Sequence, residues 1–165
     1  MMLKNGQTLE NLRSINANSG KLVWIGIRPA HRQNMIVRNS AKLLKNKGIE
    51  GDHIAGHNSK KRQITLIQAE HLLVIENLVN HNPVKPEFLR RNLVIEGINL
   101  LALKGQKFSV GQCILEGTGI CHPCSRMEEN LGKGGYNAMR GHGGITATVN
   151  RGGTIQIGDL VSLIE

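Results

Sequence analysis

The residues best suited to chemistry lie in "GTGICHPCSRMEENLGKGGYNAMRGHGG", residues 117–144, where Cys121 and Cys124 flank His122 and Pro123. Three kinds of sulfur chemistry use such residues. A thioredoxin-like pair needs C-x-x-C between a strand and a long helix of an α/β fold. Here a β-rich stretch precedes the motif, and the helix that "SRMEENL" could form is ended by "GKGG". A structural zinc site needs four ligands, usually in two close pairs. Cys113, Cys121, His122 and Cys124 are on hand, but no second C-x-x-C or H-x-x-x-H supplies the other half. The third reading is one working cysteine, Cys124, in an anion-binding cleft. Pro123 fixes the backbone before it and Arg126 brings positive charge. Gly132, Gly134 and Gly135 could leave backbone N–H groups open to an anion. Arg140 and His142 add donors. Residue types alone leave all three readings open, with the third ahead and a solvated glycine-rich loop as the plain alternative. Cys113 alternates with Ile114 in a strand-like run and reads as a buried apolar thiol.

The elements that must position these residues are mostly strands. Residues 1–20, polar and rich in Asn and Ser, read as a flexible leader before a single domain over 21–165. "KLVWIGIRP" is a β run stopped by Pro29, "NMIVRN" a short strand, residues 46–63 a turn or long loop, and "RQITLI" another strand. "QAEHLLVIENLVNH" (68–81) is the best helix: Leu72, Ile75 and Val79 keep one face, widened by Leu73 and Leu78. Pro83 and Pro86 end it. Beyond it, "RNLVIEGINL" reads as a strand with a glycine bend, "QKFSVGQCILEGTG" as two strands about Gly111, and residues 143–165 as three short strands. "FSVGQCI" and "IQIGDLV" share one pattern, which suits a small barrel whose strands bend at glycines. No βαβ repeat is read.

Composition narrows the partner. The chain has 165 residues, enough for one domain with a sizeable core. Its formal net charge of +9 points to an anionic partner. The basic residues are scattered and only Trp24, Phe88, Phe108 and Tyr136 are aromatic, so a nucleic-acid partner is not expected. No apolar run approaches the ~18 residues needed to cross a bilayer, and the N-terminal residues lack an apolar secretory core. No membrane association and a cytoplasmic, reducing location are expected. The odd number of cysteines excludes a full disulfide framework.

Several motifs together are recognisable. "GIEGDHIAG", "RQITLIQAEHL", "RRNLVIEGINLLALKG", residues 108–149 and "IQIGDLV" occur in order and resemble the MOSC domain, the module named for the C-terminal part of molybdenum cofactor sulfurases, in its stand-alone bacterial type. The resemblance runs from about residue 22 to the end. It implies a mainly β, small barrel-like fold (pyruvate-kinase-barrel-like) with a few short helices. It implies the molybdenum cofactor, a molybdopterin, as ligand, with the family's characteristic cysteine on Cys124 as metal ligand and catalytic residue. The R-x-N motif falls on Arg90 and Asn92. Arg126, Arg140, His142, Gly143 and Gly144 complete the expected cofactor-binding set.

The function implied is a molybdenum-dependent reductase component acting on N-hydroxylated substrates. Its electrons would come from a separate flavin or haem protein. The alternative is a sulfur carrier or cofactor-delivery protein using a Cys124 persulfide. Pyridoxal phosphate would then belong to a partner cysteine desulfurase and not to this chain. Two departures stand out. His53 occupies a place where the family often has a basic residue. Larger members also carry an N-terminal β-barrel domain that helps to cradle the cofactor, so a more open cleft is expected here.

Overall fold

The computed structural model describes residues 6–56 and 60–164. Residues 1–5 of the expected leader, 57–59 of the expected loop and 165 lie outside them. In chain order the elements are α1 (Leu9–Arg13), β1 (Gly20–Ile27), β2 (Ile36–Arg38), β3 (Ser40–Leu44), β4 (Gly48–Ile49), β5 (Ile64–Gln68), α2 (Ala69–Leu78), α3 (Pro86–Leu89), β6 (Leu93–Glu96), β7 (Lys107–Val110), β8 (Cys113–Ile120), α4 (Ser125–Leu131), α5 (Gly135–Met139), β9 (Ile145–Arg151), β10 (Gly153–Gln156) and β11 (Leu160–Leu163). Single 3₁₀ turns cover His53–Gly56 and Leu100–Leu103. Inside the expected leader, α1 is closed by a capping box between Thr8 and Asn11.

Seven strands close into a barrel in the order β11-β7-β8-β9-β5-β6-β1, and Gly20 of β1 pairs with Val161 of β11 to shut the ring. Closure removes the sheet edges that would otherwise need protection. β2 extends β1 outside the ring, and β10, β3 and β4 form a separate antiparallel sheet. The alternation of side chains decides what fills the barrel. Cys113 and Leu115 of β8, Ile145, Ala147 and Val149 of β9, and Ile64 and Leu66 of β5 point inward with Phe108. Full burial of each large aliphatic side chain there contributes about 1.5–3 kcal/mol before entropy is charged against it.

β5 and β6 are parallel, while every other ladder between named strands is antiparallel. A parallel pair needs a crossover, and α2 and α3 supply it. They rest, with α4 and α5, on Ile67 and Val94, outward-facing residues of β5 and β6, forming a second apolar cluster outside the barrel. Ile75 of α2 is fully buried in it, and Leu72 and Val79 pack at its margin. Leu73 and Leu78 do not widen that face as expected; both are exposed, because the barrel and α5 cover only one side of α2.

The shared glycine pattern also has a different cause from the expected bend. Gly111 (φ +55°) starts the two-residue hairpin loop that pairs Val110 with Cys113, and Gly158 (φ +96°) lies in the turn before β11. Both serve turns between strands, where a positive φ suits glycine. The two turns meet: Gly111 donates to the Leu160 carbonyl, and Gly158 donates to that of Leu22.

Gly144 (φ +83°) begins the approach of β9 to β5. A Cβ there would run into the Leu66 carbonyl oxygen, and its own carbonyl accepts from the Cys121 amide. Gly144→Ala is expected to destabilise the fold by about 3 kcal/mol, strain and clash together. Urea denaturation measures this, and an effect near zero would contradict the packing described.

Candidate functional site

The site is built on a buried ion pair. Directly after β1 comes Arg28, 6% exposed, whose Nε and Nη2 donate to Asp52 at 3.1 and 3.2 Å. Asp52 is held by the turn after β4, and also accepts from the amides of Arg28 and Ile54. Burial alone would raise the Asp52 carboxyl. The Arg28 guanidinium and these amides outweigh it and hold the carboxyl below its ordinary value.

Asn92 completes the pair from just before β6. Its Oδ1 accepts from Arg28 Nη2 (2.9 Å), the Thr65 amide and the Thr65 hydroxyl. Its Nδ2 donates to Asp52 (2.8 Å) and to the Gly26 carbonyl. Four separate chain segments are thereby tied to one point.

Beside it lies a cleft of about 380 Å³, whose lining includes Arg28, Arg62, Arg90, Arg91, Arg126 and Cys124. Cys124 is exposed and is the N-cap residue of α4, where its side chain makes no capping hydrogen bond. Arg91, 4% exposed, donates to the carbonyls of Gly143 (2.9 Å), Leu89 (2.8 Å) and Cys121 (3.3 Å). It thus fastens the backbone leading to Cys124 onto the start of β6. Arg90 adopts φ +55° and donates to the Gln33 carbonyl at 2.6 Å. Burial, and then the neighbouring Arg126 and Arg28, lower its pKa. Among the described residues, Arg90, Arg91 and Arg126 pair with no carboxylate. The cleft therefore presents positive charge whose natural complement is an oxyanion, with one accessible sulfur at its edge.

Not every expected residue lines it. Cys124, Arg90 and Arg126 do. Asn92 is fully buried and its hydrogen-bonding capacity is spent internally, so it acts on the cleft only through Arg28. Gly143 and Gly144 are buried spacers; a Cβ on Gly143 would strike the Cys121 carbonyl. His142 packs edge-on against His71 of α2, with ring centroids 5.4 Å apart. Arg140 is exposed beside its own helix, 3.5 Å from Asn137. The amides of the glycine loop are not open to an anion either: Glu128 already accepts from Gly134 and Tyr136 at 2.8 and 2.9 Å.

Cys121 is buried, as is Cys113 inside the barrel, where burial raises its thiol pKa. No three His, Cys, Asp or Glu side chains converge as metal ligands among the described residues. Arg28, Asp52, Arg62 and Arg91 were not singled out from the sequence. Two of them had a visible signal: Asp52 in "GDHIAG", and Arg91 as the second arginine of "RRN".

The fold is thus a closed barrel with an arginine cluster at the entry to β6 and an exposed cysteine ahead of α4. The sequence profile of the MOSC domain matches residues 53–162, and the chain belongs to that family. Among solved structures, the YuaD protein of Bacillus subtilis is similar in fold, with TM-score 0.77 and 19% identity over 89% of this chain and 97% of that one. YiiM from Escherichia coli (TM-score 0.67, 18% identity, 88% and 70% covered) and YiiM from Geobacillus stearothermophilus (0.70, 15%, 88% and 75%) share it as well. No curated protein sequence matches the chain. No helix among the described residues is long and apolar enough to cross a membrane.

The Asp52 carboxyl titrates below its ordinary value in the fold. The stability it contributes is therefore complete above the ordinary carboxylate range and is lost as pH falls through the lower, folded value. Asp52→Asn leaves Arg28 buried without its counter-ion and is expected to cost about 3–5 kcal/mol near neutral pH. The gap between variant and wild type should narrow as pH falls. Chemical denaturation across pH 2–7 measures both, and a gap constant with pH would contradict the ion-pair assignment.

Proposed function

We propose that this protein binds a molybdenum cofactor in the Cys124 cleft and serves as the reductase component of a molybdenum-dependent system acting on N-hydroxylated substrates. The observation that carries this reading is a cleft that three guanidinium groups, lacking carboxylate partners among the described residues, share with one exposed thiol. The fit is chemical. A molybdopterin carries a phosphate, for which arginine offers planar, charge-assisted hydrogen bonds. Its soft metal calls for a thiolate, which Cys124 alone supplies at the cleft.

The residues divide the work. Arg90 and Arg126 are placed to take the phosphate or another oxyanion. Arg91 holds the Cys121 and Gly143 carbonyls and so keeps Cys124 facing the cleft. Asp52 and Asn92 keep Arg28 oriented there. When bound, the cofactor would supply two-electron redox chemistry. Overall, R–NH–OH with two electrons and two protons becomes R–NH₂ and water. The electrons would come from a separate flavin or haem protein.

The exposure of Cys124, whose side chain makes no capping hydrogen bond, also supports a second reading: a carrier whose thiol takes sulfur from a partner cysteine desulfurase and passes it on. Metal analysis separates the two. Protein purified from a host that makes the cofactor should retain near-stoichiometric molybdenum. Cys124→Ser should lose it, while Cys121→Ser, altering a buried residue, should largely keep it. Retention by Cys124→Ser would overturn the thiolate role. A persulfide on Cys124 without metal, seen by mass spectrometry, would favour the carrier.

A further inference from the structure

A second cavity of about 560 Å³ adjoins the Cys124 cleft, and Arg32, Arg90 and Arg126 line both. Its chemistry differs from that of its neighbour. Phe88 and Met35 give it apolar surface, and Lys85 stands beside Phe88 at the start of α3. Against these charges it has one lining carboxylate, Glu87. Arg32 is paired with Glu129 at 3.3 Å on the surface, whereas Arg126 has no carboxylate partner among the described residues.

The backbone of the shared wall is unusual. Only three non-glycine residues among those described have positive φ, and two are Arg32 (+63°) and Arg90 (+55°). The left-handed region costs such residues about 1–2 kcal/mol each. The fold therefore holds two arginines of this wall in place against a conformational preference, as strained residues at binding sites often are. Arg90 also carries the mutual repulsion of its cationic neighbours, which a bound anion would relieve.

We infer that this second cavity is a binding chamber for a flat, anionic organic molecule, an aryl carboxylate or aryl phosphate. Its ring would lie against Phe88 and Met35, and its charge against Lys85, Arg32 and Arg126. The shared arginines let it sit beside whatever occupies the Cys124 cleft. Naming that molecule the substrate rests on the function proposed above; the binding itself does not.

The test uses the full chain with 2-naphthoate as probe and 2-naphthamide as its neutral counterpart, followed by protein NMR. Naphthoate is expected to shift the Met35 methyl signal and the amides of residues 85–90. Naphthamide should bind about tenfold more weakly, because it lacks the charge that the arginines and Lys85 meet. Lys85→Ala and Phe88→Ala, at positions the fold leaves partly open, should each weaken naphthoate several-fold, and Cys124→Ala should not. Equal binding of the two probes would overturn the inference. So would shifts confined to residues 124–127. Exclusion of naphthoate from cofactor-loaded protein would assign the chamber to the cofactor and overturn it as well. Loss of metal on Cys124→Ala with naphthoate binding unchanged would support both readings; retained metal with charge-selective naphthoate binding would sink the proposed function alone.

Discussion

A guanidinium buried without acceptors is among the most costly groups a fold can hold, and this fold buries two guanidiniums, each supplied with acceptors. Arg28 is matched by a carboxylate and an amide. Arg91 is matched by three carbonyls and no carboxylate. The two solutions have different consequences. The Arg28–Asp52–Asn92 cluster is close to neutral and acts as a fixed post. Arg91 keeps its charge uncompensated, so it adds to the field of the cleft while fastening the strand ends around it. Removing either acceptor set would leave a buried charge, so the geometry of the cleft is enforced by the same interactions that hold the fold together.

The barrel makes this possible. Among the antiparallel pairs of the ring only β7 and β8 join by a tight hairpin, and the one parallel pair, β5 and β6, forces the chain to leave the ring and return. The return delivers Arg90, Arg91 and Asn92 as consecutive residues at the entry to β6. Arg90 faces the cleft as the residue that ends α3, Arg91 reaches across to the Cys121 segment, and Asn92 turns inward to Thr65. Three successive side chains thus serve three directions. The glycines at 143 and 144 let the chain that follows α5 pass close enough for Arg91 to hold it.

Much of the barrel is legible in the sequence. Strand runs such as "RQITLI" and "QKFSVGQCILEG" alternate or cluster apolar residues between turns, and the helix at 68–81 is found at 69–78. Which strands close the ring, the single parallel pair and the small β10-β3-β4 sheet are not, because pairing partners far apart in sequence leave no local pattern. The site divides the same way. Cys124, Arg90 and Arg126 carry their chemistry openly. Asn92 was expected to touch a ligand, but its partners come from β1, β5 and the turn at Asp52, and only the folded chain shows them consuming its hydrogen bonds. The glycine loop resembles an anion nest in sequence. Glu128, one turn earlier on the neighbouring helix, supplies the anion from within the chain.

The proposed function requires an oxyanion in the arginine cleft beside the Cys124 sulfur. Because Cys113 and Cys121 are buried, the rate of thiol alkylation by iodoacetamide in folded protein reports on Cys124. Inorganic phosphate at ten times its dissociation constant should slow that reaction about tenfold, with saturation, while chloride at matched ionic strength should not. An alkylation rate unchanged by phosphate at every concentration would contradict the claim.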